Sequence, residues 1–247
     1  MSEDERTRRG IERSLRIYYD DQRDTAAMDA LYARFVQIGA LVFDVGSHVG
    51  DRIAAFRRLG ARVIACEPNP ALVPTLRRLY GHDDMVTLEP VAVGPSAGEI
   101  EMRINTDNPT VSTASTDFVK ASQGAPGWEG QSWDRSITVP VTTLDALIAR
   151  HGTPAFIKID VEGFEAEALA GLTQPVAALS FEFTTIQRDV ARACVAHCEK
   201  LGYLRYNAAL GESQALVHED WQSADAIVRW LDGLPVEANS GDVYAVR

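Results

Sequence analysis

Leu41-Val42-Phe43-Asp44-Val45-Gly46-Ser47-His48-Val49-Gly50 decides the fold of this chain. Three apolar residues run without a break into a carboxylate, and two glycines follow four residues apart. Ile53, Phe56 and Leu59 come next, at helical spacing. An unbroken apolar run feeding a helical pattern reads as a buried parallel strand entering a helix. Such a turn lies at the carboxyl end of a sheet, where open α/β folds bind ligands. Gly46 permits a sharp turn and a close ligand approach because no Cβ obstructs either. Gly50 is expected to let the helix start lie tight against the strand.

The alternation continues outward from this turn. Arg62 to Glu67 reads as a second strand stopped by Pro68-Asn69-Pro70, and residues 71–80 as a second helix. Residues 85–88 form a third strand that continues irregularly through Val91-Ala92-Val93, and residues 99–104 alternate as an exposed strand does. Residues 137–141 are another short strand, after which Thr143 caps a helix. Ala155 to Asp160 is a strand ending in a carboxylate, and Val161-Glu162-Gly163 turns into a helix over 164–172. A core strand over 176–183 carries Glu182 near its end; helices over 190–201 and 224–231 and a final strand over 243–246 complete the pattern. Residues 105–135, rich in Asn, Thr, Ser, Gly and Pro, read as a long functional loop in which Trp128 and Trp133 either line a pocket or pack on the surface. Ahead of the first strand, residues 3–38 read as two helical pieces. One is striped by Ile11, Leu15 and Tyr18; the other, capped by Asp24 or Thr25, by Met28, Leu31, Tyr32 and Phe35.

Composition narrows the function. The 247 residues suit one α/β domain, and a net charge of −11 argues against nucleic acid as the main partner. No stretch approaches the ~18 consecutive apolar residues a membrane span needs, and the charged start Met1-Ser2-Glu3-Asp4-Glu5-Arg6 leads into no apolar segment. A cytoplasmic protein without membrane partners is the expectation. Cys66, Cys194 and Cys198 read as reduced, buried thiols, the last two too poor in companions for a metal site.

Glu67 follows Asp44 by 23 residues, one turn, one helix and one strand later, so it ends beside the first turn. An acid there accepts hydrogen bonds from both hydroxyls of an adenosine ribose. Dinucleotides and S-adenosylmethionine both use this arrangement. Dinucleotide sites want a glycine where this chain has His48, and an imidazole there would crowd a pyrophosphate. S-adenosylmethionine carries cations instead of phosphates, and suits acids at the ends of three strands: Asp44, Glu67 and Asp160. Lys158, inside an apolar strand, must snorkel or find a carboxylate.

Phe43 to Gly50, Cys66-Glu67-Pro68-Asn69-Pro70, Val91 to Gly94, Thr143-Leu144-Asp145 and Ile157 to Glu165 together resemble the FkbM family of S-adenosylmethionine-dependent methyltransferases, in order and approximate spacing. The resemblance covers roughly residues 40 to 185, and the family usually has asparagine where this chain has His48. It implies a Rossmann-like class I fold: a seven-stranded, mostly parallel sheet with an antiparallel last strand, helices on both faces, and extra N-terminal helices. Residues 1–39 are then a helical extension and residues 40–247 the cofactor-binding methyltransferase domain. Asp44, Gly46, Ser47, His48 and Gly50 are expected to hold the methionine part of the cofactor, and Glu67 the ribose with Pro68 and Asn69 alongside. Glu89, Val91 and Ala92 are expected to border the adenine, and Asp160 to face the methyl-transfer centre.

The acceptor is expected to be a small hydroxylated molecule, a sugar, polyketide or similar metabolite. Asp160 or Glu182 then serves as general base, or both join Glu162 in holding a divalent metal such as magnesium. In the plainer alternative Asp160 only contacts the cofactor, Glu162 pairs with a surface base and Glu182 caps a loop. Two other functions fit the same turn: an NAD-dependent oxidoreductase, or a non-catalytic protein that binds an adenosyl ligand. The sequence says nothing of oligomeric state.

Overall fold

The computed structural model describes residues 2–20 and 25–247. Its centre is a seven-stranded sheet built from β1 (Leu41–Val45), β2 (Arg62–Cys66), β3 (Val86–Glu89), β7 (Phe156–Ile159), β8 (Ala178–Thr184), β9 (Arg205–Leu210) and β10 (Ser240–Val246). The order across the sheet is β3-β2-β1-β7-β8-β10-β9, and β10 runs antiparallel to both neighbours. A second sheet of three strands, β4 (Ala92–Val93), β5 (Gly98–Ile104) and β6 (Arg135–Thr142), stands apart in the order β4-β6-β5. The sequence reading found β5 and β6 but took Ala92 and Val93 as an irregular continuation of the third strand, and so did not see a separate sheet.

The period of two along each strand sorts the core into two layers. Phe43, Val45, Ile64, Ile157, Ile159, Leu179 and Phe181 face one side of the sheet. There they meet α6 (Leu144–His151), α7 (Glu165–Ala170), α8 (Arg188–Lys200) and α9 (Ala224–Gly233) through Leu147, Leu169, Val195 and Ile227. Val42, Val63, Ala65, Phe156 and Tyr244 face the other side, covered by α2 (Thr25–Tyr32) and α3 (Asp51–Arg58) through Met28, Tyr32, Ile53 and Phe56. Each fully buried Leu, Ile or Phe contributes about 1.5–3 kcal/mol, so the two layers dominate the stability of the sheet.

The two N-terminal helical pieces pack in different places: α2 on the face of the sheet, the piece before it by the turn after β1. α1 (Glu3–Leu15) starts with a capping box between Ser2 and Glu5, and Ile11, Leu15 and Tyr18 pack on Val49, Ala71 and Leu72. A π-helical turn, Arg16–Asp20, follows α1. α2 begins at Thr25; Asp24, the other cap expected for it, lies outside the described residues. The stretch 105–135 is not a bare loop. Ser115 caps α5 (Thr116–Ser122), its hydroxyl accepting from the Phe118 N–H, and Phe118 packs edge-on against Trp128 and Trp133. The cap Ser115 and the acid Asp117 in the first turn are the signal for this helix. No helix among the described residues is long and apolar enough to cross a membrane.

Candidate cofactor cleft and active site

Backbone hydrogen bonds bring three strand ends to one level. The N–H groups of Gly46 and Ser47 both donate to the Cys66 carbonyl, at 2.9 and 3.0 Å, and Asp160 N–H donates to Val45 O at 2.9 Å. The turns after β1, β2 and β7 therefore face one another across a cleft lined by Asp44, Gly46, Ser47, His48, Glu67 and Asp160, with Pro68 and Asn69 alongside. Gly46 has φ +86°, and a Cβ on it would lie 1.7 Å from the Asp160 carbonyl oxygen. Only glycine fits there.

Glu67 is held rigidly. Its Oε2 accepts from His48 N–H and its Oε1 from Asn69 N–H, both at 2.8 Å, which leaves each oxygen a further lone pair. Burial pushes its pKa up to about 7 against the pull of these two bonds. Asp44 is buried beneath the turn, where burial pushes it up to about 7 and Lys158 opposes the rise. Asp44 Oδ2 has no hydrogen-bond partner among the described residues. His48, at φ +47°, sets its ring edge-on to Tyr18 at 5.4 Å; burial lowers its pKa to about 4, so it is neutral at pH 7.

Two of the expected cofactor residues stand elsewhere. Glu89 is not part of the cleft lining. Its carboxylate accepts from Arg150 at 3.0 and 3.1 Å and sits 2.8 Å from His151 Nε2, which turns it away towards α6. The wall at that point is apolar, made of Val91, Ala92 and Val93 with Met102 and Val139 of the second sheet. Gly50 also stands off the lining, and the close approach it permits is to α4 (Val73–Tyr80) rather than to β1. A Cβ there would lie 2.5 Å from Tyr80 Cε2 and 3.0 Å from Leu76 Cδ2.

At the far end Asp160, Glu162 and Glu182 come together, with one carboxyl oxygen from each inside a 4.8 Å span. Lys158, 1% exposed, donates to Asp160 Oδ2 and to Asp242 Oδ1, both at 3.0 Å. Burial works to raise Asp160, but Lys158 outweighs it and holds the carboxyl below its usual range. Glu162 and Glu182 are pushed well above theirs, first by burial and then by Asp160. Glu162 has φ +56°, and its turn is pinned by Thr113 Oγ1 donating to the Glu162 carbonyl at 2.6 Å. Val161 and Gly163 N–H both donate to Glu165 Oε1. Glu162 is buried beside its fellow acids, so the surface base considered for it has no place here.

Sequence reasoning missed several lining residues. Arg52, in the first turn of α3, reaches back to donate to Asp51 at 2.6 Å and Glu212 at 2.8 Å. Glu212, Asn239 and Ser240 arrive from the tail, where no periodicity marks them. Trp128 does line the cleft, and its buried Nε1–H has no acceptor among the described residues.

The strand order, with its antiparallel strand inserted second from the edge and its ligand turn after β1, defines a class I, Rossmann-like methyltransferase fold. The family model for the methyltransferase FkbM domain matches residues 44–232, and the chain belongs to that family. Among curated relatives, hexuronic acid methyltransferase AglP of Haloferax volcanii is 29% identical over 154 residues, 61% of this chain and 57% of that protein. An arginine N(omega)-methyltransferase of Streptomyces achromogenes subsp. streptozoticus is 41% identical over 73 residues, 28% of this chain and 20% of that protein. The chain thus spans a little over half the length of the first relative and a fifth of the second. Among solved structures, a TehB-like SAM-dependent methyltransferase from Corynebacterium glutamicum superposes with a TM-score of 0.48 at 12% identity, over 95% of this chain and 93% of that one.

Proposed function

We propose that the chain transfers the methyl group of S-adenosylmethionine to a hydroxyl oxygen of a small molecule, such as a sugar or polyketide. The observation that carries this reading is the Glu67 carboxylate, clamped by two backbone N–H groups with a lone pair left on each oxygen for a vicinal diol. The unpartnered Asp44 Oδ2 beneath the Gly46 turn suits a ligand that brings positive charge. Val91, Ala92, Met102 and Val139 form the apolar slot that an adenine ring requires. Family membership and the two relatives, named for methyl transfer to a hexuronic acid and to arginine, agree with a small acceptor.

When bound, the cofactor supplies an electrophilic methyl group on a cationic sulfur, so the chain must align the acceptor oxygen and remove its proton. His48 is a poor base, being neutral with a pKa near 4. Asp160 is spoken for by Lys158 and contributes fixed negative charge. Glu182, with its raised proton affinity, is the general base in this reading, and positive charge nearby favours its ionised form. The triad offers the oxygen ligands that magnesium prefers, but Lys158 already engages Asp160, so no step here depends on a metal.

Calorimetric titration with S-adenosylhomocysteine tests the assignment. Wild type is expected to bind in the micromolar range and Glu67→Ala about tenfold or more weakly, with magnesium changing neither value. Absence of binding sinks the reading, and binding of NAD in its place revives the oxidoreductase.

A further inference from the structure

His48 sits in the left-handed region at φ +47°, a backbone conformation that strains any residue with a side chain. Such strain persists only where the surroundings impose it. Here the strained residue directs its N–H at Glu67 Oε2, 2.8 Å away, one of the two bonds that fix the carboxylate proposed to take the ribose. Tyr18 and Thr110 border the His48 ring, but they leave the backbone that follows it unrestrained. Two phenols hold that backbone. The Tyr80 hydroxyl, at the end of α4, donates to the Gly50 carbonyl at 2.6 Å, and the Tyr19 hydroxyl donates to the Val49 carbonyl at 3.0 Å. The two hydroxyl oxygens are themselves 2.6 Å apart, so two protons serve three short contacts and the phenols act together. Burial raises both pKa values, that of Tyr80 to about 12, which keeps both groups protonated and able to donate at pH 7. Neither phenol lines the cleft. A tyrosine that only packs needs no particular acceptor, and Tyr19, at 38% exposure, has water within reach. Instead the two reach consecutive carbonyls of one turn from opposite sides, Tyr80 from α4 and Tyr19 from the π-helical turn after α1. Turns of that kind are rare and cluster at functional sites.

We propose that Tyr19 and Tyr80 are positioning residues for the cofactor. By holding the Val49 and Gly50 carbonyls they keep His48 in its left-handed conformation, and so keep its N–H on Glu67. The N-terminal segment then belongs to the cofactor site, although Tyr18 is the one residue among its described residues that lines the cleft. This inference rests on the methyl-transfer reading and deepens it.

The test is calorimetry on the full chain with S-adenosylhomocysteine and with its 2′,3′-dideoxyribose analogue, which lacks both hydroxyls assigned to Glu67. Wild type is expected to bind S-adenosylhomocysteine at least about tenfold more tightly than the analogue. Tyr80→Phe keeps the ring that packs on Gly50 and removes only the hydroxyl. It is expected to weaken S-adenosylhomocysteine about fivefold while leaving the analogue within about twofold of its wild-type affinity. Tyr19→Phe is expected to act in the same direction, and at its exposed position it decides the matter alone if Tyr80→Phe does not fold. Equal losses for the two ligands overturn the proposal, because the phenols then merely stabilise the turn. Affinity for S-adenosylhomocysteine within about twofold of wild type in either folded variant overturns it too. Wild type that binds both ligands equally removes the ribose contact from Glu67, and this inference with it, while the methyl-transfer reading stands. Wild type that binds neither ligand is a separate result that fails the methyl-transfer reading itself.

Discussion

The carbonyl oxygen of Asp160 sits 1.7 Å from where a Cβ on Gly46 would be. The glycine turn after β1 and the acidic turn after β7 are thus in backbone contact. This single approach ties the half of the cleft proposed to hold the cofactor to the half proposed to carry the chemistry.

Gly46→Ala is therefore expected to destabilise the fold by about 2 kcal/mol or more and to abolish S-adenosylhomocysteine binding. The cost has two parts, a left-handed backbone and a steric clash against the carbonyl of Asp160, a residue whose N–H is tied to Val45 O. Urea unfolding alongside calorimetry checks both. Binding within twofold of wild type would contradict the contact.

Lys158→Met leaves the buried Asp242 and the half-buried Asp160 without their common cation. The expected loss is about 3–5 kcal/mol. Adding Asp242→Asn to that variant removes one stranded charge and is expected to restore a good part of the loss. Chemical denaturation of the three proteins reads the coupling directly.

The pH dependence of cofactor binding follows from Asp44. Burial raises its pKa to about 7, so near pH 6.5 much of the population is protonated. A cationic ligand favours the ionised form, lowers that pKa on binding and releases a proton. S-adenosylmethionine affinity is expected to rise as pH climbs through about 7 and then level off. Titrations near pH 6.5 in buffers of different ionisation enthalpy detect the released proton, and Asp44→Asn is expected to abolish the release.

The same residues set a stability trend. Asp44 and Glu67, both raised to about 7, bind more protons folded than unfolded between roughly pH 4 and 7. They cost stability progressively as pH rises across that window, and the cost is complete above it. Asp44→Asn is expected to flatten the fall in unfolding free energy between pH 5 and 7, measured in urea.

Tyr18 closes over the cleft from the N-terminal segment, its ring against His48. Tyr18→Ala is expected to speed S-adenosylhomocysteine dissociation about tenfold while leaving the melting temperature within a few degrees. Stopped-flow displacement measures the rate.

Much of this site was legible in the sequence because its parts sit at the ends of buried strands. Apolar runs that stop at Asp44, Glu67 and Asp160 mark strand, edge and carboxylate at once, and the parallel pairing that stacks them follows from the alternation of strand and helix patterns. The tail strand that ends at Val246 was legible as the antiparallel one. Glu89 obeys the same local rule yet faces away, because Arg150 and His151 of α6 compete for its carboxylate, and nothing within residues 85–93 reveals that competition. Gly50 was read as a strand contact, but the side chains that leave no room for a Cβ there are Leu76 and Tyr80, the latter thirty residues on. The second sheet was hidden for a related reason: β4 is two residues long and pairs with β6 across more than forty intervening positions. Arg52, Glu212, Asn239 and Ser240 reach the cleft only through tertiary placement.

The insertion of β10 between β8 and β9 has a consequence for the order in which the protein assembles. The strand is made after every other strand of its sheet, yet it occupies an interior position and brings Asp242 to Lys158 and Ser240 to the cleft. During synthesis the halves of the nucleotide-fold pattern that hold Glu67 and Gly46 can pair early, from contacts close in sequence. The charge balance around Lys158 cannot. A nascent chain stalled short of residue 240 carries a formed turn, an open seam beside β8 and a buried lysine missing one of its two anions. Such a chain would expose a hydrophobic strand edge to its neighbours on the polysome, which makes the pairing of residues 240–246 the point at which this sheet escapes aggregation.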